Sequence, residues 1–128
     1  MTRKKIMLVD DSSTALLMEK AILAKRNFVL VTARDGEEAV AMSRAERPDV
    51  ILMDVMMPKM NGFEACRRIR DDPQTKDIPI IMVTTRGEME NLETGYVSGC
   101  SDYVTKPING LELLTKLEDL LGGAEAGR

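Results

Sequence analysis

The residues best placed for chemistry in this sequence are polar side chains that end or directly follow short apolar runs. Asp10 and Asp11 follow the first run, and Asp54 follows another in the middle of the chain. Thr84 ends a later run, and Lys106 follows the last one. The chain contains no histidine, which excludes histidine-based triads and histidine metal ligands. Any chemistry must therefore use carboxylates, hydroxyls and lysines.

Three carboxylates and a lysine suit phosphoryl chemistry if they meet in the fold. Converging carboxylates repel each other and raise one another's pKa unless a cation holds them together. Oxygen ligands of this kind suit Mg²⁺, which binds one or two carboxylates together with phosphate oxygens. A lysine supplies a compact positive charge for a phosphoryl oxygen. Asp10, Asp11, Asp54 and Lys106 therefore predict a phosphoryl-transfer site in which a carboxylate is the covalent acceptor.

The elements that must position these residues alternate between strand and helix. Short β-branched or aliphatic runs predict five strands, at Lys5–Val9, Phe28–Ala33, Asp49–Met53, Ile80–Thr84 and Asp102–Thr105. Amphipathic stretches predict five helices, at Ser13–Arg26, Gly36–Glu46, Gly62–Arg70, Glu88–Val97 and Asn109–Leu121. This alternation predicts a single doubly wound α/β domain with a parallel sheet. Ligands of such sheets bind at the carboxyl ends of the strands, so the candidate residues converge if the first strand neighbours the third.

Caps and apolar faces of the helices can also be assigned. Ser12 or Ser13 is the predicted cap of the first helix, and Asp35 that of the second. The apolar positions of the first helix are Leu16, Leu17, Ala21, Leu23 and Ala24. Those of the fifth helix are Leu111, Leu114, Leu117 and Leu121. Gly95 interrupts the fourth helix at a cost of about 1 kcal/mol relative to alanine, so we expect that helix to be the least stable.

Composition narrows the class of protein. The 128 residues predict one domain, at residues 1–121, with a flexible C-terminal tail at residues 122–128. Cys66 and Cys100 form no C-x-x-C pair, so we expect reduced thiols in a cytoplasmic protein. No apolar run approaches the roughly 20 residues of a membrane span. A net charge of −3 and few aromatic residues argue against nucleic-acid binding. We also expect the protein to be a monomer.

Four motifs, in this order and spacing, resemble those of the CheY-like receiver domains of response regulators, the signalling proteins of two-component systems and bacterial chemotaxis. They are the segments Leu8–Ser12, Leu52–Pro58 with Asn61-Gly62, Val83-Thr84 and Asp102–Pro107. The resemblance extends from about Lys4 to Leu121. It implies the flavodoxin-like strand order 2-1-3-4-5.

The resemblance implies a role for each site residue. Asp54 is then the phosphoacceptor, and Asp11 and Asp54 bind Mg²⁺ together with the backbone carbonyl of Met56. Asp10 assists through bound water. Lys106 pairs with the phosphoryl group.

The resemblance also implies a switch and two kinds of partner. Thr84 bonds the phosphoryl group after transfer, Tyr103 turns inward, and the Lys106–Pro107 peptide bond is cis. The surface of the fourth helix, fifth strand and fifth helix then changes shape for a downstream effector protein. The resemblance implies that the phosphoryl donor is a histidine kinase or a phosphotransfer protein, and it must be a separate protein because this chain has no histidine. Since receivers catalyse only their own phosphorylation and dephosphorylation, we expect no other enzyme activity.

Two other functions remain open. A degenerate receiver would be a phosphorylation-independent interaction module, although the complete acidic set and the lysine argue against it. A magnesium phosphatase of the haloacid dehalogenase type would need a D-x-D motif after the first strand, and this sequence has none there. Met56 and Thr85 depart from the commonest receiver pattern and put the lifetime of the phosphate in doubt.

Overall fold

The computed structural model describes residues 3–85 and 99–122. Its five strands are β1 (Lys5–Val9), β2 (Val29–Ala33), β3 (Val50–Asp54), β4 (Ile80–Thr84) and β5 (Asp102–Thr105). The helices of this part of the chain are α1 (Ser13–Leu23), α2 (Gly36–Glu46), α3 (Gly62–Asp71) and α4 (Gly110–Leu120). The predicted helix Glu88–Val97 lies outside the described residues, as does the predicted tail beyond Gly122. None of the described helices has the length and apolar character that a membrane crossing requires.

The five strands form one parallel sheet in the order β2-β1-β3-β4-β5. This is the order that the resemblance implies. Val9 at the end of β1 lies beside Ala33 of β2 and Met53 of β3. Since β1 and β3 are neighbours, the condition for convergence of the acidic residues is met. Asp10 and Asp54 follow or end adjacent strands at the same edge of the sheet.

For the elements within the described residues, the predicted bounds agree with the structure to within one residue, with one exception. β3 begins and ends one residue later than predicted, so Asp54 is the last residue of the strand. The exception is α1, which ends at Leu23 where the sequence predicted Arg26. The N–H groups of Lys25 and Arg26 donate to carbonyls three residues earlier in the chain. The helix therefore closes with a tighter terminal turn.

Buried side chains fill both faces of the sheet in two clusters. One cluster joins the strands to α2 and α3, with its largest members at Met7, Ile51, Met53, Ile69, Ile80 and Met82. The other joins them to α1 and α4, with its largest members at Ile6, Leu8, Leu23, Leu52, Ile81 and Leu113. Alternate residues of β1, β3 and β4 point to opposite clusters. This two-sided burial confirms the predicted double winding.

Two of the predicted helix faces are wrong in part. Leu17 of α1 is 68% exposed and Leu111 of α4 is 75% exposed. In α4 the buried residues are Leu113, Leu114 and Leu117. A row of leucines spaced three residues apart drifts round a helix of about 3.6 residues per turn, so Leu111 turns away from the sheet.

The helices begin at the carboxyl edge of the sheet with side-chain caps. The capping oxygens of Ser12, Asp35, Asn61 and Asn109 accept backbone N–H bonds from residues three positions later. This arrangement satisfies N–H groups that have no partner within the helix. Ser12 is therefore the cap of α1, one of the two predicted choices, and Asp35 caps α2 as predicted.

Polar contacts at the opposite edge join the far ends of the elements. The Nε atom of Arg26, just after α1, lies 2.9 Å from an Oε2 atom of Glu118 in the last turn of α4. Arg3 donates a hydrogen bond of 2.7 Å to the carbonyl of Phe28 before β2. Both helices therefore end at the edge where β1 begins.

Candidate functional site

Three carboxyl groups meet at the carboxyl edge of the sheet. Asp10 follows β1, Asp11 follows Asp10, and Asp54 ends β3. One carboxylate oxygen from each lies within 4.8 Å of the others. Asp10 is 1% exposed and Asp54 is 4% exposed, whereas Asp11 is on the surface. The cluster is therefore buried on two sides and opens toward solvent beside Asp11.

Lys106 brings an ammonium group to this cluster. Its Nζ atom lies 3.1 Å from Oδ1 of Asp54 and 3.6 Å from Oδ2 of Asp10. Burial alone would lower the pKa of Lys106, but the charge and hydrogen bond of Asp54 and the nearby charge of Asp10 outweigh it and raise that pKa. The ammonium group therefore stays charged. The Lys106–Pro107 peptide bond is cis, the isomer that the resemblance implies.

The acidic cluster fits a divalent cation. Three carboxylates and one ammonium group leave a net negative charge in a largely buried space. The Oδ2 atom of Asp10 has no hydrogen-bond partner among the described residues. A buried carboxylate oxygen of this kind needs a proton donor, a water molecule or a cation. The all-oxygen set of Asp10, Asp11 and Asp54 suits Mg²⁺.

The turn after β1 is held by two backbone contacts. The N–H of Ser12 donates to Oδ1 of Asp10 at 2.9 Å and fixes the orientation of that carboxylate. The guanidinium group of Arg34, just after β2, donates to the backbone carbonyl of Asp11 at 2.9 Å. Asp10 and Asp11 thus lie in a turn that is held at both residues, at the carboxylate of Asp10 and at the backbone carbonyl of Asp11.

The loop from β3 to α3 turns sharply beside Asp54. The N–H of Gly62 donates to the carbonyl of Val55 at 2.8 Å, and any Cβ atom at Gly62 would collide with the carbonyl oxygen of Asp54. Lys59 has a φ of 68°, in the left-handed region, and its Nζ atom lies 3.6 Å from Oδ2 of Asp35. Because of the collision at Gly62, a residue without a side chain is required where α3 meets the end of β3.

Met56 lies at the start of this loop, two residues after Asp54. Its side chain is 66% exposed. The metal contact through its backbone carbonyl stays a prediction, as does the influence of its side chain on the lifetime of the phosphate.

The two switch residues lie on the neighbouring strands. Thr84 at the end of β4 is 2% exposed, and its hydroxyl lies 3.2 Å from the carbonyl of Thr85. Tyr103 of β5 is half-buried against the cluster that includes α3. The ammonium group of Lys116 lies 5.0 Å from the centre of the Tyr103 ring and donates to the Tyr103 carbonyl at 2.6 Å. The structure brings both residues to the same half of the sheet, while their movement stays a prediction.

The sequence prediction missed one acidic residue. Glu19 of α1 is 2% exposed, and its Oε1 atom has no hydrogen-bond partner among the described residues. Burial raises the pKa of Glu19 to about 8, with a further contribution from Asp10. The available signal was its spacing, because Glu19 lies three residues after Leu16 and four before Leu23, on the buried face of the helix.

Comparison with known proteins agrees with this geometry. Residues 6–118 match the family model of the response regulator receiver domain. The chain is 40% identical over 119 residues to protein PilH of Pseudomonas aeruginosa, a match that covers 93% of this chain and 98% of PilH. It is 39% identical over 116 residues to the response regulator PleD of Caulobacter vibrioides, covering 91% of this chain but only 26% of PleD.

Solved structures show the same fold. The chemotaxis response regulator CheY4 of Vibrio cholerae superposes with a TM-score of 0.86 at 38% identity, covering 94% of this chain and 100% of CheY4. The receiver domain of the sensor histidine kinase PA1611 of Pseudomonas aeruginosa superposes with a TM-score of 0.87 at 30% identity, covering 94% of this chain and 99% of that domain. That structure has a magnesium ion coordinated in its active site cleft. From its motifs, sheet order, acidic cluster and these matches, the chain belongs to the response regulator receiver domain family of two-component signalling.

Proposed function

We propose that this receiver accepts a phosphoryl group on Asp54 from an external phosphohistidine donor, with Mg²⁺ as cofactor. One observation carries the proposal: Asp54 lies 3.1 Å from a charged lysine and within 4.8 Å of two further carboxylates. A carboxylate nucleophile, a cation site and an ammonium group are the parts that phosphoryl transfer needs. The degenerate receiver is the less favoured alternative because all of these parts are present.

Each residue of the site has a distinct task. Asp54 attacks phosphorus through a carboxylate oxygen while the P–N bond to the donor histidine breaks and the imidazole leaves with the donor protein. The 4% exposure of Asp54 keeps most competing water away. Asp10, Asp11 and Asp54 are the residues that would hold Mg²⁺. When bound, this ion would neutralise negative charge that develops on the oxygens around phosphorus. Lys106 stays charged and supplies a hydrogen-bond donor for a phosphoryl oxygen.

The donor belongs to another protein because this chain contains no histidine. A histidine kinase or a phosphotransfer protein would supply the phosphohistidine. The relatives support this choice, since they include response regulators and the receiver domain of a sensor histidine kinase. The chain would catalyse only its own phosphorylation and dephosphorylation.

The output is a change of surface that a downstream effector protein recognises. Phosphate on Asp54 draws the hydroxyl of Thr84 toward it, and Tyr103 moves into the space that becomes available. The affected surface comprises the predicted helix Glu88–Val97, which lies outside the described residues, together with β5 and α4. Phosphate shifts this equilibrium only by the difference in its affinity for the two arrangements.

Mass spectrometry after incubation with acetyl phosphate and Mg²⁺ tests the proposal. We expect one phosphoryl adduct per wild-type chain, and none in Asp54→Asn, because the amide has lost the nucleophilic oxygen. Asp119→Asn, on the exposed side of α4, is the matched control and should give the wild-type yield. An adduct of equal yield in Asp54→Asn contradicts the assignment, and no adduct in the wild type favours the phosphorylation-independent module.

A further inference from the structure

A cavity lies directly beside Lys106, between α1 and the segment that follows β5. Its volume is about 400 Å³, and its lining is apolar apart from Glu19 and Lys106. The apolar part of the lining comes from Met18 and Ile22 of α1 and from Pro107 and Ile108. Lys106 therefore has free space on the side away from the acidic cluster.

The second polar residue that lines this cavity is Glu19. The stability of the folded protein does not explain why a glutamate lies at this position. Its neighbours on the buried face of α1 are Leu16 and Leu23, and an apolar side chain would pack with them. Instead a carboxyl group is buried with its Oε1 atom lacking a partner. Buried polar atoms without partners are rare because they lose their hydrogen bonds to water. The carboxyl group therefore needs a partner that arrives in another state of the site.

Lys106 in the described arrangement occupies the carboxylates that a metal ion would need. Its ammonium group contacts Asp54 and Asp10, which are also two of the three candidate Mg²⁺ ligands. An ammonium ion and a divalent cation repel each other, so metal binding must displace the lysine. Its flexible four-carbon stem allows that movement.

We propose that Glu19 is a positioning residue for Lys106, accepting its ammonium group when Asp10 and Asp54 turn to Mg²⁺. This inference rests on the proposed function of the acidic cluster. A carboxyl oxygen accepts a hydrogen bond whether or not the group is protonated, so the contact does not require ionisation. The charged groups around Glu19 are Asp10 after β1, Asp54 of β3 and Lys106 after β5. Of these, Lys106 is the one that can donate.

The proposal predicts how Glu19 affects metal binding. Without the Glu19 carboxyl group, displaced Lys106 would have no acceptor in the cavity and would compete more strongly for Asp10 and Asp54. Magnesium affinity would then fall, although Glu19 is not a metal ligand. The effect must pass through Lys106 and must disappear when the ammonium group is absent.

A double-mutant cycle tests this route. Magnesium dissociation constants would be measured by isothermal titration calorimetry for wild type, Glu19→Met, Lys106→Met and the double variant. We expect Glu19→Met to weaken binding about threefold or more, and Lys106→Met to strengthen it by removing the competing cation. In the Lys106→Met background the Glu19→Met change should alter the constant by less than about twofold, since sites with a shared partner are not additive.

Two further variants complete the experiment. Glu19→Gln keeps an acceptor oxygen at the same position, so it should retain the contact with Lys106 and leave the constant within about twofold of the wild type. Glu37→Gln removes a charge from the exposed first turn of α2 and should leave the constant unchanged.

Equal losses from Glu19→Met in both backgrounds would overturn the inference, because Glu19 would then act on the metal without Lys106. Unchanged magnesium affinity in Glu19→Met, or an equal loss in Glu19→Gln, would also overturn it. Each of these results leaves the proposed function standing. If the wild type binds no magnesium at all, the proposed function and this inference fall together.

Discussion

At the scale of single residues, the site is defined by which charges are compensated. Asp54 has a close ammonium partner at 3.1 Å, while Oδ2 of Asp10 is 3.6 Å from the same group and has no hydrogen bond. The buried carboxyl group of Glu19 lies near these groups, and its pKa of about 8 keeps it protonated and uncharged at lower pH. The metal-free site is therefore short of positive charge, and its behaviour with pH and with magnesium follows from that shortage.

Stability should depend on pH through Glu19. Its pKa is raised from 4.5 to about 8 in the folded protein, so between these values the folded state holds a proton that the unfolded chain has lost. Stability therefore falls as pH rises through this range, by about 1.4 kcal/mol per pH unit. Glu19→Met has no carboxyl group at this position, so it should lack this pH dependence. The free energy of unfolding would be measured with urea for metal-free protein at about pH 5.5 and 7.5. Relative to the wild type, that of the variant should be about 2 to 3 kcal/mol higher at pH 7.5 than at pH 5.5. A gain that is the same at both pH values would mean that Glu19 does not titrate in this range.

Magnesium should bind weakly in the absence of phosphate, because few protein ligands are available and the ion retains water. Asp11→Ala should weaken that binding markedly, since Asp11 is the exposed carboxylate at the open side of the cluster. Calorimetric titration measures the change, with Asp71→Ala at the exposed end of α3 as control. An unchanged affinity in Asp11→Ala would place the ion elsewhere.

Much of this site follows from the sequence, and Glu19 shows where the prediction stops. Asp10 and Asp54 directly follow or end apolar runs, and parallel strands bring their carboxyl ends to one edge. Glu19 belongs to a helix, where a carboxylate is normally solvent-exposed. The rotation of α1 about its axis decides whether that residue faces water or the sheet. Local spacing left both choices open, because Leu17 and Leu16 were equally acceptable as core residues.

At the scale of elements, the β3–α3 connection has little room for change. Gly62 is one of two residues that fix this connection. Its N–H bonds the carbonyl of Val55, and its missing side chain allows α3 to approach Asp54. Asn61 caps the helix at the preceding position. The sequence predicted that α3 begins at Gly62, but the collision with the Asp54 carbonyl depends on how α3 docks and is visible only in three dimensions.

Gly62→Ala should destabilise the protein and disturb the site together. The added Cβ would collide with backbone atoms that cannot move without shifting Asp54, and overpacking of this kind costs roughly 1 to 3 kcal/mol. Gly110→Ala is the matched control, because a Cβ there would meet Ile22 Cγ2 at 3.5 Å, an ordinary contact. Thermal unfolding and the rate of phosphorylation by acetyl phosphate would both be measured. Equal stability of the two variants would contradict the close approach.

At the scale of the whole molecule, the residues of the proposed switch lie in one half of the sheet. β1 and β3 are central strands buried on both faces, while β5 is an edge strand with half-buried residues. Thr84 and Tyr103, the proposed switch residues, lie on β4 and β5. The double winding and strand count follow from the alternation of runs in the sequence, whereas the strand order came from the resemblance, because periodicity alone does not order strands.

Amide exchange with and without beryllofluoride, a phosphoryl mimic, should locate the change. We expect altered protection around Tyr103 and in Glu88–Val97, the segment predicted to form the least stable helix because it contains Gly95. Protection in β1 and β3 should stay constant and serves as the internal control. Changes that cluster on α1 and α2 instead would show that the proposed switch is wrong for this protein.

The edge opposite the acidic cluster has a practical consequence for protein engineering. The ion pair between Arg26 and Glu118 and the bond from Arg3 to Phe28 place the start of β1 and the end of α4 at that edge. A fluorescent protein or a surface tether fused before Arg3 or after Gly122 would be attached at the edge of the sheet opposite Asp54. Such fusions should keep the phosphoacceptor open to its donor, so the domain is suited to immobilised binding assays and to energy-transfer reporters.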